Sequence, residues 1–365
     1  MADEARRAVL KAGLAGAVAA LVAGPRHARA GAPLREAGMS EGRRTLEMPG
    51  LFDLQVNGFA GVDFSDPALS SEGVLRAVEA IGATGVTGFL PTLITSSLET
   101  FSACARTIAR TSHPAIAGIH MEGPYISPED GYRGAHARAF VRGADLDDFR
   151  RRQDAAEGRI RLLTVAPEAP GVPGVIAHAV ASGVRVAIGH SGASASQIAD
   201  AVSAGATLST HLGNGCPSVV PRHPNVIWEQ LAEDRLLASF IVDGHHLPPA
   251  TVKSMIRAKT PARSILVTDA IAAAGMPAGR YTLGGQEVEL SATGRVAAPG
   301  AANLAGSALR LDVAIGNTVR FTGLPLEDVL PMATSTRSAE PARFGAPGTA
   351  TRPEGLSSTC CRARW

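Results

Sequence analysis

Aromatic residues make up only 4% of this 365-residue chain, and cysteine occurs four times. Cys104, Cys216, Cys360 and Cys361 form no CxxC pair and no disulfide framework, so a thiolate zinc site or a disulfide-stapled fold is not expected. Cys216 stands near His211, where a small apolar filler suits it better than a ligand role. An excess of charge of one sign is also lacking. Lys+Arg 35 against Asp+Glu 33 announces no basic face, and a nucleic-acid partner has no electrostatic basis. No GxGxxG opens a helix after the first strand, which removes support for a dinucleotide fold. The apolar stretch 12–24 is too short and too rich in Ala and Gly to anchor the chain in a bilayer.

What is present is apolar bulk of a small-residue kind. Hydrophobic residues reach 45% and glycine 40 positions, enough for a large core built from Ala, Val, Ile and Leu. The length exceeds an ordinary single domain but fits one (β/α)₈ barrel with insertions. From residue 51 to about 343, apolar β-rich runs (GVTGFLPTLI, AIAGIHME, IRLLTVAPE, VRVAIGHS, ATLSTHL, LLASFIVDG, SILVTDA) alternate with Ala-rich amphipathic stretches such as SEGVLRAVEAIGATG and SASQIADAVSAGA. That alternation predicts a parallel sheet covered by helices. Polar residues at the C-terminal ends of the runs favour a closed α/β (TIM-like) barrel over an open sheet.

The chain divides on this reading into three parts: 1–48, 49–344 and 345–365. In the first, Arg6 and Arg7 precede the apolar stretch and Ala28-Arg29-Ala30 follows it, the pattern of a twin-arginine export signal. An Ala/Arg-rich start without that role, or a remnant of an accessory β-sheet, are the alternatives. The third part has no periodicity and no apolar run, and no structure is expected there.

Four segments carry chemistry. Glu122 in HMEGPYISPEDG, His190 in VAIGHSG, His211 in STHLGNG and Asp269 in LVTDA each close an apolar run and meet loop residues at once. A carboxylate and two imidazoles can hold one divalent cation with a position left for water. An unliganded Asp269 beside them would serve as general base. Asp269 could equally cap a helix over 270–274. His136, in GYRGAHA, could polarise a carbonyl, and His246, in VDGHHLPP, could hydrogen-bond substrate. Arg222 could pair with an anionic group through its guanidinium fork. Gln55 and Asn57 close the first strand; their amides are poor ligands beside imidazole but could hold a water at a metal site.

Taken together, PGLFDLQVNG, GIHMEGPYIS, AIGHS, THLGNG, VDGHH, VTDA and LAGS resemble the N-acetylglucosamine-6-phosphate deacetylases of the amidohydrolase superfamily. The resemblance runs from Pro49 to Phe344 and keeps the family's segment order. It implies a metal-dependent hydrolase barrel that releases acetate from an N-acetyl amino sugar. It also implies one divalent ion, zinc before iron, on Glu122, His190 and His211, with Asp269 as base and His136 at the amide carbonyl. Asn214, Gly215, Arg222, His246, Leu304, Ala305 and Gly306 fall on substrate positions, with Arg222 and His246 near the phosphate. Gln55 and Asn57 replace the paired histidines with which many amidohydrolases bind a further metal. A homodimer in the cytoplasm is implied too, with periplasmic export the alternative. Two departures stand out: Gly213 to Cys216 lacks the family's aromatic and Ala-Met, and the closing strand of its β-sandwich is missing. They leave another amide substrate, such as an N-acyl amino acid, or an inactive barrel as competing expectations.

Overall fold

The computed structural model describes residues 35–40, 43–47, 50–301 and 303–334, the first two stretches by their backbone only. The twin-arginine pattern and the tail after Thr334 lie outside the described residues. Strands β1 (Arg35–Ser40) and β2 (Arg43–Glu47) pair as an antiparallel hairpin.

The central sheet has eight strands: β3 (Leu51–Val56), then, after the short antiparallel pair β4 (Gly58–Phe59) and β5 (Val62–Asp63), β6 (Val86–Ile94), β7 (Ile119–Glu122), β8 (Ile160–Val165), β9 (Arg185–Ile188), β10 (Leu208–Ser209), β11 (Leu237–Ile241) and β12 (Ser264–Val267). Neighbours in space are neighbours in sequence and every pairing is parallel, the order of a (β/α)₈ barrel. All four residues of β7 and of β12 are buried, as strands covered on both faces must be.

The helices between strands begin where the sequence offers a cap. Ser70 accepts from Gly73 N, Ser97 from Thr100 N, and Ser194 with Gln197 completes a capping box. Their apolar stripes (Val74, Ala77, Val78 and Ile81 on the first) face the barrel.

β3 and β12 close the ring through a few specific bonds rather than a long ladder. Asp269 N donates to Gln55 O at 3.0 Å and Asn57 N to Ala270 O at 2.7 Å. Below them the Asp53 carboxylate accepts from Thr268 N at 3.2 Å and Thr268 Oγ1 at 2.6 Å. The seam therefore passes through the residues on either side of Asp269. This overturns the helix-cap reading of that aspartate. Residues 270–274 form no helix: Ala270 bridges Val56 and Ser307, and Ile271 N bonds Ser307 O. Barrel closure outweighs the helical preference of an alanine run.

A three-stranded antiparallel sheet, β13 (Gly279–Leu283), β14 (Gln286–Leu290) and β15 (Val296–Ala297), follows the last barrel strand. Leu283, Val288, Leu290 and Val296 pack under it with Ile94, Ile271 and Ala305 into a second, smaller core. This sheet was not expected. Gly284 and Gly285, both at positive φ, turn its hairpin, and that Gly-Gly between alternating runs is the signal that would have revealed it. Among the described residues no helix is long and apolar enough to cross a membrane.

Candidate active site

At the C-terminal end of the barrel a cavity of about 660 Å³ is lined by Glu122, His190, His211, Asp269, His136 and Asn57, among others. Glu122 is the last residue of β7, and the other strand-end groups follow β9, β10 and β12. His190 (φ 52°), His211 (φ 29°) and Asp269 (φ 52°) all hold left-handed backbone, which costs an ordinary L-residue energy. Three strained residues around one cavity mark a place where side-chain direction outranks local comfort.

Glu122 Oε1, His190 Nε2 and His211 Nε2 form a triangle: 3.3 Å and 3.1 Å from the carboxylate to the two rings, and 3.1 Å between the ring nitrogens. Ligand atoms of a tetrahedral zinc site, with bonds of about 2.0–2.2 Å, sit roughly 3.3 Å apart. The Nδ1 of His190 faces the Tyr132 carbonyl at 2.9 Å, and a carbonyl only accepts, so Nδ1 carries the proton and Nε2 keeps its lone pair. His211 Nε2 can give a proton to the carboxylate, but the Nε2 of a neutral His190 has none to give to either neighbour. The donor set fits a single divalent cation. A second grouping, Glu122, His136 and His190, also has one ligand atom from each within 4.8 Å of the others.

Burial would raise the Glu122 pKa, but the close approach of the His190 and His211 rings to its carboxylate overcomes it and holds the carboxyl well below its usual range. His211 shows the reciprocal effect: burial opposes the charged ring, yet the Glu122 bond raises its pKa. Ser239 Oγ fixes the His211 amide at 2.8 Å. The Gly215 backbone lies against the His190 ring so closely that a Cβ there would come within 2.9 Å of Nδ1.

Asp269 is pushed up to about 6, first by burial and then by the charge of Glu122. Gln55 Nε2 bridges the two acids, 2.9 Å from Glu122 Oε1 and 3.0 Å from Asp269 Oδ1, and Asn57 Nδ2 reaches Asp269 Oδ1 at 2.6 Å. The amides of the first strand thus hold carboxylates. Asn57 Oδ1 is buried without a protein partner, and Asn57 lines the cavity.

His136 is buried, and burial followed by the nearby His190 lowers its pKa to about 3, so its ring is neutral. Its loop is tied down on two sides: Arg133 donates to His136 O at 2.7 Å and Gln286 of β14 to Ala135 O at 2.8 Å. Asn214, Gly215, His246, Leu304, Ala305 and Gly306 line the same cavity. The His246 ring is held by Asp243 at 2.6 Å. Cys216 lines the cavity half-buried, its thiol against Gly213 O. Arg222 is the exception: it is exposed and is not among the lining residues. Residues that sequence reasoning missed are Asp53 and Thr268 at the seam, Thr95 beside His136, and the β14 side chains Gln286 and Val288 on the cavity wall.

An α/β barrel with a buried carboxylate and two imidazoles converging at its strand ends, beside an aspartate, defines a metal-dependent hydrolase of the amidohydrolase kind. No protein-family model matches the chain. Curated relatives do: human N-acetylglucosamine-6-phosphate deacetylase is 39% identical over 301 residues, 78% of this chain and 72% of that one. N-acetylgalactosamine-6-phosphate deacetylase of Escherichia coli O157:H7 is 34% identical over 307 residues, covering 82% and 78%. The crystal structure of the N-acetyl-D-glucosamine-6-phosphate deacetylase from Mycobacterium smegmatis superposes with a TM-score of 0.72 at 34% identity, over 78% of this chain and 74% of that one. The chain belongs to the N-acetylglucosamine-6-phosphate deacetylase family.

Proposed function

We propose that the protein hydrolyses the acetamide of N-acetylglucosamine 6-phosphate, giving acetate and the amino sugar phosphate. The observation that carries this reading is the Glu122–His190–His211 triangle with Asp269 beside it in one cavity. Those three residues would hold one divalent cation, zinc by the fit of its bond lengths to the triangle, with iron second. When bound, the cation supplies Lewis acidity to the amide carbonyl and acidifies a water.

The chain's own residues supply the rest. Asp269, ionised above about pH 6, takes the proton of the attacking water and returns it to the leaving nitrogen. Gln55 and Asn57 fix that carboxylate by their amide N–H groups. His136, neutral and buried, donates a hydrogen bond to the carbonyl oxygen as charge develops on it. Asn214, Gly215 and residues 304–306 shape the sugar site, and His246, braced by Asp243, faces the anionic end. Arg222 would meet the phosphate only from outside this lining.

Residues 49–344 are assigned to the barrel, and the β1–β2 hairpin fits the reading of segment 1–48 as a remnant of the accessory sheet. Homodimeric assembly and cytoplasmic residence, where sugar phosphates occur, rest on the family resemblance. The test is acetate release from N-acetylglucosamine with and without the 6-phosphate, with metal quantified in the same sample. Release from the phosphorylated sugar in proportion to bound metal is expected. Release from N-acyl amino acids instead would replace the substrate, and a metal-free, inert protein would reject the enzyme.

A further inference from the structure

Two histidines of the cavity lie almost in contact, with ring centroids 4.3 Å apart, yet their second nitrogens face opposite chemistry. His190 Nδ1 looks at a carbonyl. His136 Nδ1 looks at Thr95, the residue just past the end of β6: the backbone N–H donates to it at 3.3 Å and the hydroxyl oxygen lies 2.8 Å away. An amide N–H can only donate, so the His136 nitrogen it meets must offer a lone pair. A neutral ring with its lone pair at Nδ1 carries its proton at Nε2, the atom turned toward Glu122 Oε2 at 3.7 Å. The opposite arrangement, Nδ1–H donating to the hydroxyl, would set two N–H hydrogens against each other and strip a buried amide of its acceptor.

We propose that Thr95 is a positioning residue that fixes His136 in the Nε2–H tautomer, so that this histidine meets the cavity as a hydrogen-bond donor and not as a metal ligand. The assignment decides between the two donor groupings. His190, tautomerised by Tyr132, keeps its Nε2 lone pair for the cation; His136 has none to give there. The oxygen of an amide substrate then finds an N–H already aimed, with no proton transfer needed before reaction. With Nδ1 bare, the Thr95 hydroxyl gives its one hydrogen to that nitrogen at 2.8 Å, and Glu122 O, 3.4 Å from the oxygen, is a neighbour and not its acceptor. Gly123 leaves the threonine room: a Cβ there would fall 2.2 Å from Thr95 Oγ1.

The inference rests on the proposed deacetylase chemistry for its purpose, but its test does not. Zinc-loaded protein carrying ¹⁵N-labelled histidine gives the ring tautomers directly by NMR. His136 is expected with Nε2 protonated and Nδ1 bare, and His190 the reverse. Thr95→Val keeps the long 3.3 Å amide bond to Nδ1 but removes the hydroxyl, the closer of its two donors at 2.8 Å; the His136 signals should move toward a mixture of tautomers. There kcat should fall about tenfold, the scale of one hydrogen bond, with KM and zinc content unchanged. Thr95→Ser should restore both. A wild-type His136 protonated at Nδ1, or bonded to zinc through Nε2, overturns the proposal, as does a Thr95→Val protein with wild-type signals and kcat. The predicted tautomers in a protein that releases no acetate would count against the substrate reading and leave Thr95 in place.

Discussion

Two buried polar clusters sit one above the other inside the barrel, and they differ in how their histidines are paired. In the lower one, His120 Nδ1 meets Thr92 Oγ1 at 3.2 Å and Nε2 meets Thr164 Oγ1 at 2.8 Å, which bonds on to Thr210 at 2.7 Å. Both ring nitrogens have neutral partners that can donate or accept, and burial lowers the ring's pKa to about 4. In the upper one, ring nitrogens of His190 and His211 confront each other across 3.1 Å and share one carboxylate oxygen. His211 Nδ1 and Asn57 Oδ1 are buried without a partner there. The lower cluster is complete as it stands and specifies the core. The upper cluster combines strained backbone with unpaired buried atoms, a geometry that suits the cation and substrate proposed for it. A buried histidine is therefore classified by what its nitrogens face, not by its burial.

The contrast can be broken most forcefully at the triangle. Glu122→Gln or His211→Ala should abolish both zinc binding and acetate release, read by metal analysis of the purified variant; full metal content in both would dissolve the distinction. Next in size, Asp269→Asn should lower kcat by roughly 10²–10⁴-fold while zinc stays bound, because it removes a base and not a ligand. A pH profile sharpens the same point. Burial first and the Glu122 charge second raise Asp269 to about 6, and a cation on Glu122 would offset part of that charge; the base works ionised, so kcat/KM should fall about tenfold per unit on the acid side of a midpoint at or below pH 6 and level off above it. A profile flat from pH 4 to 7 would take Asp269 out of the proton path. The lower cluster should respond in stability instead. His120→Ala should cost about 2–4 kcal/mol in denaturant unfolding, through a cavity and unpaired threonines, with zinc content intact. Arg222→Ala should have the smallest effect, a rise in KM confined to phosphorylated substrate and weaker than that of His246→Ala.

The barrel was legible because its strands are apolar runs at a steady repeat, and Glu122, His190 and His211 drew attention because each closes such a run and meets loop residues at once. Asp269 was legible by the same rule, but its role in closing the barrel was not. Its anchors, Gln55 and Asn57, lie 214 and 212 positions away, and no local pattern announces such a pairing. Thr95 escaped for the same reason: a threonine after a strand looks like any other until a ring nitrogen 41 residues on is set against it. The β13–β15 sheet was missed because half of its side chains face solvent and its apolar partners, Ile94 and Ala305, come from other parts of the chain. Arg222 is the converse case, a sequence position whose surroundings are open solvent and not the cavity.

Anomalous diffraction from zinc-loaded crystals bears most directly on the account. It predicts a single peak per chain, about 2.0–2.2 Å from one Glu122 oxygen and from Nε2 of both His190 and His211. His136 should stand off that peak with Asp269 beside it, unbonded to the metal. No peak at the strand ends, or one ligated by His136 in place of His211, would contradict it.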